Sequence, residues 1–202
     1  MPDPIRYSVG DEVSDALTAA DPSIGRVISR VGSVEVQSGP TRFAALARTV
    51  IGQQLSESSA SAIIARVERD IGLSPEAVVA ASDDTMRIVG VSGCKSEYLR
   101  GIAQAVVSGE LDLDALDTLD DDHVAERLTR VRGVGRWTAQ MFLLLALRRP
   151  DVIVLDDMGI RAAAGRMLGL GRSASVSELA EAAERWRPYR SAATLYLYRD
   201  RS

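Results

Sequence analysis

The 202-residue sequence has one cysteine, Cys94, and one histidine, His123. A single thiol cannot close an internal disulfide, and the two residues together are too few for a multi-cysteine or histidine-rich metal centre. Long apolar runs are missing too, none approaching the roughly 20 residues of a membrane span. The N-terminus, Met1-Pro2-Asp3-Pro4-Ile5-Arg6, lacks the basic and apolar regions of a signal peptide. A soluble, cytoplasmic protein is expected. Alternating strand-like stretches are scarce; Ser33-Val34-Glu35-Val36-Gln37 and Val152-Ile153-Val154-Leu155 stand out.

An excess of positive charge is also absent. The net charge of −4 argues against a polyanionic partner, because binding of that kind is largely electrostatic. The average conceals a split: residues 1–125 carry a net −10 and residues 126–202 a net +6, with arginine as every cation of the basic part. Arginine suits bidentate phosphate contacts better than lysine does, so one anion-facing surface and one solubilising surface are compatible with this chain.

What is present is a chain 46% hydrophobic with a mean hydropathy of +0.01, long enough for one substantial core or two small ones. Apolar residues recur at helical spacing almost throughout, which predicts an all-α protein. Helices are expected at 11–19, 23–31, 41–53, 57–71, 75–81, 83–89, 95–108, 122–130, 135–148, 157–168, 176–186 and 189–200. Ser38-Gly39-Pro40, Gly72 to Pro75, Gly90 to Gly93 and Arg149-Pro150-Asp151 break the pattern. Ser82-Asp83-Asp84 and Asp120-Asp121-Asp122 read as helix starts, where side-chain oxygens cap amides and carboxylates favour the positive dipole end. The acidic stretch Glu110 to Asp122 reads accordingly as capping and solvated loop rather than a metal site.

The most informative segment is Leu128-Thr129-Arg130-Val131-Arg132-Gly133-Val134-Gly135-Arg136-Trp137-Thr138-Ala139. One helix ends, a Gly-x-Gly turn follows, and another helix begins at once. Gly133 and Gly135 permit positive φ and leave no Cβ in the way of a ligand. The amides and dipole at the start of the second helix form an anion site, to which Arg132, Arg136 and the Thr138 hydroxyl add contacts. The carbonyls of Thr129, Val131 and Val134 point to a place for a monovalent cation, Na+ or K+. The plain alternative is a tight connection with Gly133 as a helix C-cap.

About twenty residues on, Val154-Leu155-Asp156-Asp157-Met158-Gly159-Ile160-Arg161 brings two carboxylates out of an apolar run at a helix start. A structural reading makes one of them the cap of helix 157–168. A functional one makes it a sheltered charge.

Together, the Gly-x-Gly turn and the Leu155-Asp156-Asp157-Met158-Gly159-Ile160 segment resemble the helix-hairpin-helix and aspartate loop of a DNA glycosylase superfamily. Trp137 narrows the likeness to its alkylated-base, or 3-methyladenine, class, since members that also cleave the backbone carry lysine there. Three further segments are similar to that class: Ile51-Gly52-Gln53-Gln54-Leu55-Ser56, Lys95-Ser96-Glu97-Tyr98-Leu99 and Trp186-Arg187-Pro188-Tyr189-Arg190-Ser191. The likeness covers residues 40 to 200. It implies a two-lobed all-α fold, with a helical barrel lobe at 41–148, a second lobe of 1–40 plus 149–202, and the active site in the cleft between them. The chain is too short for the extra N-terminal α/β domain of larger bacterial relatives.

The resemblance implies a monomeric, monofunctional hydrolase acting on damaged bases in duplex DNA, nucleoid-associated in a bacterium and needing no cofactor for the reaction. Asp157 takes the family's catalytic position, while Asp156 caps or hydrogen-bonds locally. Gln54, or Leu55 beside it, fills the gap left by the extruded base. Trp137 and Tyr198 offer aromatic faces to a cationic alkylated base. Met141 and Met158 complete the base pocket where relatives commonly carry aromatic residues, which opens the question of substrate range. Tyr189 and Tyr196 read as packing residues, Lys95 as a structural cation, Cys94 as a small residue at a helix start, and His123 as part of a first helical turn. Two other readings share the motifs: a glycosylase for deaminated or etheno bases, and a hairpin module that binds DNA without catalysis.

Overall fold

A computed structural model describes residues 3–37 and 39–200. Ser38, part of the expected break before residue 41, lies outside the described residues, as do Met1 and Pro2 of the N-terminal segment. The described chain divides into two compact units, residues 39–142 and residues 3–37 with 143–200.

Unit 1 is helical. It holds α3 (Arg42–Gly52), α4 (Glu57–Asp70), α5 (Pro75–Ala80), α6 (Asp83–Ile88), α7 (Gly93–Val107), α8 (Asp121–Thr129) and the start of α9 (Arg136–Leu145). Polar caps set their starts. Thr41, Ser56, Ser74, Ser82 and Asp120 each accept a first-turn amide, and Pro75 follows its cap where a missing N–H costs nothing. Helix α7 packs on α3, α5 and α6, with Leu46, Val50, Leu99 and Ile102 fully buried. The acidic stretch does cap and turn: Asp112 accepts the amides of Asp114 and Ala115 ahead of a 3₁₀ turn at Ala115–Thr118, and Arg42 pairs with Asp114 and Asp117. Among the described residues no group of acidic, histidine or cysteine side chains is placed to hold a metal.

Unit 2 joins the two ends of the sequence. Its elements are β1 (Ile5–Ser8), α1 (Glu12–Ala20), α2 (Pro22–Val31), β2 (Ser33–Val36), α10 (Met158–Met167), α11 (Val176–Ala183) and α12 (Arg190–Arg199). Helices α2, α10 and α12 pack on one another. The fully buried Trp186 donates through Nε1 to Asp21 at 3.0 Å, and Asp21 also caps α2 through the Ser23 amide. Tyr196, with no exposed surface, meets Ser14 at 2.9 Å, which makes it a packing residue.

Three local expectations change. Ile5–Ser8 pairs antiparallel with Ser33–Val36, so the helical protein also carries a two-stranded sheet; four residues beginning at Ile5 are too short to show an alternation. Val152 to Leu155 is not a strand. Val152 to Val154 runs as buried coil, and the amide and carbonyl of Val152 bond to the side chains of Ser191 and Thr194 on α12. Helix α9 stops at Leu145 rather than 148, because Arg148 adopts φ +53 and the Arg149 amide turns back to the Leu143 carbonyl ahead of Pro150. Among the described residues no helix is long and apolar enough to cross a membrane.

Candidate nucleic-acid interface and catalytic carboxylate

The hairpin follows from short backbone bonds. The Val131 amide donates to Leu128 at 3.1 Å, the Val134 amide to Val131 at 3.0 Å, and α9 then begins at Arg136. Gly133 sits at φ +91, and a Cβ there would come within 2.2 Å of the Tyr98 ring, so only glycine fits. A Cβ on Gly135 would meet nothing within 4 Å. One glycine therefore packs inward and the other leaves the outer face of the turn open, at the positive end of the α9 dipole.

Side chains from elsewhere in unit 1 hold the turn. Gln53 Nε2 donates to the Gly133 carbonyl at 3.0 Å and to the Thr138 hydroxyl at 2.9 Å. Lys95 Nζ donates to the carbonyls of Ile51 and Gln53, each at 2.7 Å, closing the C-terminal end of α3. Burial pushes the Lys95 ammonium below its ordinary pKa. Next to Gln53, the exposed Gln54 adopts φ +57, and Leu55 beside it is also exposed. An open groove of about 600 Å³ links these parts, lined by Gln54, Tyr98, Val131, Arg132, Gly133 and Gly135 among others.

The structure thus brings together Gln54, Thr129, Val131, Arg132, Gly133, Val134 and Gly135 on one groove. Arg132 remains 79% exposed while pairing with Glu97 at 3.3 Å and lying 5.7 Å from the centre of the Tyr98 ring. Arg136 is exposed at the first position of α9. Thr138 is corrected: it is 1% exposed and its hydroxyl is taken by Gln53, so it braces the turn from inside and offers no surface contact. Trp137 and Met141 lie four residues apart on α9, the tryptophan half-buried and the methionine 7% exposed. Sequence reasoning missed Gln53, Tyr98 and Glu97 as supports. That all three stand in segments of the family likeness was the available signal, but their partners lie 35 to 85 residues away.

In unit 2, Asp157 is the N-cap of α10, its Oδ1 accepting from the Ile160 amide at 2.9 Å, with 8% of the residue exposed. Of the two roles expected for Asp156, the cap is corrected, since Asp156 is exposed and the cap is Asp157. The second carboxylate of the pair has the extended backbone angles of a cap residue, φ −79 and ψ 119, and faces the first turn of the helix. Asp157 is thereby held at the positive end of α10 in a sheltered place. Met158, the first residue of α10, is 81% exposed, and Tyr198 on α12 is half-buried.

The approach to Asp157 is anchored from α12. Arg190 donates to both carboxylate oxygens of Asp151, at 2.7 and 3.0 Å, and to its carbonyl at 2.8 Å. The Ser191 hydroxyl donates to the Arg149 carbonyl and accepts the Val152 amide at 3.0 Å, and Thr194 donates to the Val152 carbonyl at 3.0 Å. The Trp186-to-Ser191 segment therefore ties down the chain that leads to the carboxylate.

Comparison with known proteins adds a pedigree to this geometry. Residues 47–188 match the model of the HhH-GPD superfamily base excision DNA repair proteins. The chain is 29% identical to DNA-3-methyladenine glycosylase 1 of Schizosaccharomyces pombe, covering 91% of this chain and 84% of that one. It is 26% identical to the DNA-3-methyladenine glycosylase of Bacillus subtilis, over 91% of this chain but 65% of the relative. Among solved structures, a DNA-3-methyladenine glycosidase from Bacillus halodurans superposes with a TM-score of 0.80 at 33% identity, covering 98% of this chain and 93% of the other. The S. pombe 3-methyladenine DNA glycosylase in complex with abasic DNA gives 0.85 at 29% identity, covering 93% and 95%.

Proposed function

Because the chain belongs to the HhH-GPD superfamily of base excision DNA repair proteins, we propose that it acts as a monomer to remove alkylated bases from duplex DNA, hydrolysing the N-glycosidic bond. The observation that carries the reaction is Asp157, a sheltered carboxylate whose place is fixed by the cap it makes to α10. A base stacked in duplex DNA is out of reach of any side chain, so the nucleotide must first be turned out at a cost of a few kcal/mol. The Gly133–Gly135 turn, Arg132 and Arg136 grip the backbone while Gln54, or Leu55 beside it, fills the vacated stack. Asp157 then stabilises the positive charge that develops on the sugar as the C1′–N bond breaks and the base leaves with the bonding electrons. Water adds to C1′, its proton passes to Asp157 or to solvent, and an abasic site remains.

Trp137 and Tyr198 supply aromatic faces for a cationic base, and Met141 and Met158 supply adaptable thioethers. No lyase step follows, for Trp137 cannot form a Schiff base. Lys95, the sequence's one lysine, is committed to two carbonyls. A monovalent cation, Na+ or K+, suits the neutral carbonyl oxygens of Thr129, Val131 and Val134, three residues that line this groove.

Single-turnover release is the test, on duplexes carrying 3-methyladenine, 7-methylguanine, hypoxanthine, ethenoadenine or uracil, with Asp157→Asn alongside. Release of the methylated purines that the variant loses is the expected result. DNA binding without release of any base would sink the proposal and leave a binding module; release of hypoxanthine or ethenoadenine alone would move the substrate class.

A further inference from the structure

A second concentration of cations lies in unit 2, where α2, α10 and α12 pack on one another. An open groove of about 930 Å³ there is lined by Arg26, Arg30, Arg166 and Arg199, with Asp200 as its carboxylate. Arg30 holds Asp200 through two nitrogens at 2.7 Å each, and Arg166 approaches the same carboxylate at 3.6 Å. Arg26 donates to the Ser23 hydroxyl and Arg199 to the Glu35 carbonyl, both at 3.1 Å. Half of the Arg30 and Arg166 side chains still faces solvent.

Helix ends explain part of this cluster. Arg30, Arg166 and Arg199 each stand in the last turn of a helix, where a cation offsets the negative end of the dipole. Three such ends at about half a charge each, together with Asp200, offset about 2.5 of the four positive charges. Arg26 stands mid-helix and answers to none of them. Among the described residues, this concave surface in an acidic chain is thus left with a surplus of positive charge, all of it guanidinium. The groove lies at the other end of α10 from Asp157, and ten helical residues span about 15 Å. Its cations come from three helices around an open trough, which suits the repeated phosphates of a strand better than one enclosed anion.

We propose that this groove is a second phosphate-binding site that takes the backbone of DNA. It rests on the preceding reading only in naming DNA as the source of phosphate. The affinity for an undamaged duplex, followed across a salt series, tests it with the double variant Arg26→Gln/Arg199→Gln, which leaves the Arg30–Asp200–Arg166 cluster in place. Each phosphate contact contributes about 0.9 to the slope of log K against log salt, so the variant's slope falls by about 2 while Arg26→Lys/Arg199→Lys keeps it. An unchanged slope in the glutamine variant overturns the proposal, and so does an equal fall in the lysine variant, which would trace the loss to structure. If the slope is unchanged but inorganic pyrophosphate binds the wild type and not the glutamine variant, the groove serves free phosphates and the DNA assignment is overturned. Single-turnover base release at saturating DNA keeps the two readings apart: a wild type without release would refute the glycosylase proposal yet leave the slope difference standing.

Discussion

The hairpin of unit 1 and the carboxylate of unit 2 are built in opposite ways. The hairpin presents backbone: its outer face is a glycine turn, and side chains from other elements only hold that backbone in shape, Gln53 through its bond to the Gly133 carbonyl and Tyr98 by lying against Gly133. At Asp157 the order is reversed. There a single side chain is the functional group, and backbone holds it, through the cap to α10 and the pinned segment before it. A site made of backbone is sensitive to any added atom, whereas a site made of one side chain is sensitive to that group's charge.

Substitutions can break this contrast, and the largest effect is expected at Asp157. Asparagine caps a helix about as well as aspartate does, so Asp157→Asn should keep the fold while base release falls by about 10²–10³-fold and DNA affinity holds. Asp157→Ala should lose the same turnover and about 1 kcal/mol of stability in addition, read from denaturant unfolding. Equal stability of the two variants would show that the cap matters little.

Next in size are the two glycines. Gly133→Ala drives a Cβ into the Tyr98 ring at a positive φ, and should cost about 1–3 kcal/mol of stability along with DNA affinity. Gly135→Ala meets no protein atom, so its melting temperature should match the wild type while affinity drops by about tenfold, roughly 1.4 kcal/mol, as the approach to the amides closes. A stable Gly133→Ala protein would contradict the packing described above. Lys95→Met should come third: it strips the donor from two carbonyls at a cost of about 1–2 kcal/mol, and slows base release through the Gln54 turn more than it weakens binding to an abasic duplex.

The smallest effect sharpens the contrast through pH. The Arg172 guanidinium and the Ser175 backbone and hydroxyl hold Glu178, on α11 of unit 2, down to about 2 from 4.5. Burial pushes the Asp21 carboxyl up, but bonds from Ser23, Trp186 and Arg185 outweigh it and leave it below its ordinary value. A carboxylate held below its unfolded value stabilises the fold above that value, and the contribution is lost as pH falls through the folded one. Glu178 therefore contributes fully above about pH 4.5 and ceases to as pH approaches about 2. Thermal melts between those limits should fall less steeply in Glu178→Gln than in the wild type, and parallel curves would contradict the assignment.

Much of this was legible before the structure. Helix positions follow from apolar spacing and from caps such as Ser82 and Asp120, because caps and periodicity act within a few residues. The glycine turn was legible for the same reason. Long-range partners were not. Nothing near Thr138 tells that Gln53 takes its hydroxyl, so its burial had to be seen. Nothing in Asp156-Asp157 tells which carboxylate reaches back to the Ile160 amide, since either residue type can cap. The Val152-to-Leu155 run looks like a strand because it is apolar, yet the amide and carbonyl of Val152 are met by Ser191 and Thr194 rather than by a neighbouring strand.

By itself the sequence determined the helical class, the hairpin with its Gly-x-Gly turn, and the presence of a carboxylate at a helix start, all properties set by local backbone preference and spacing. The tertiary structure alone decided which glycine faces Tyr98 and which faces outward, which aspartate is the cap, and which of the arginines are consumed in pairs such as Arg190 with Asp151 and which collect around Asp200. Those outcomes depend on residues far apart in the chain meeting in space, and burial and charge pairing are properties of that meeting.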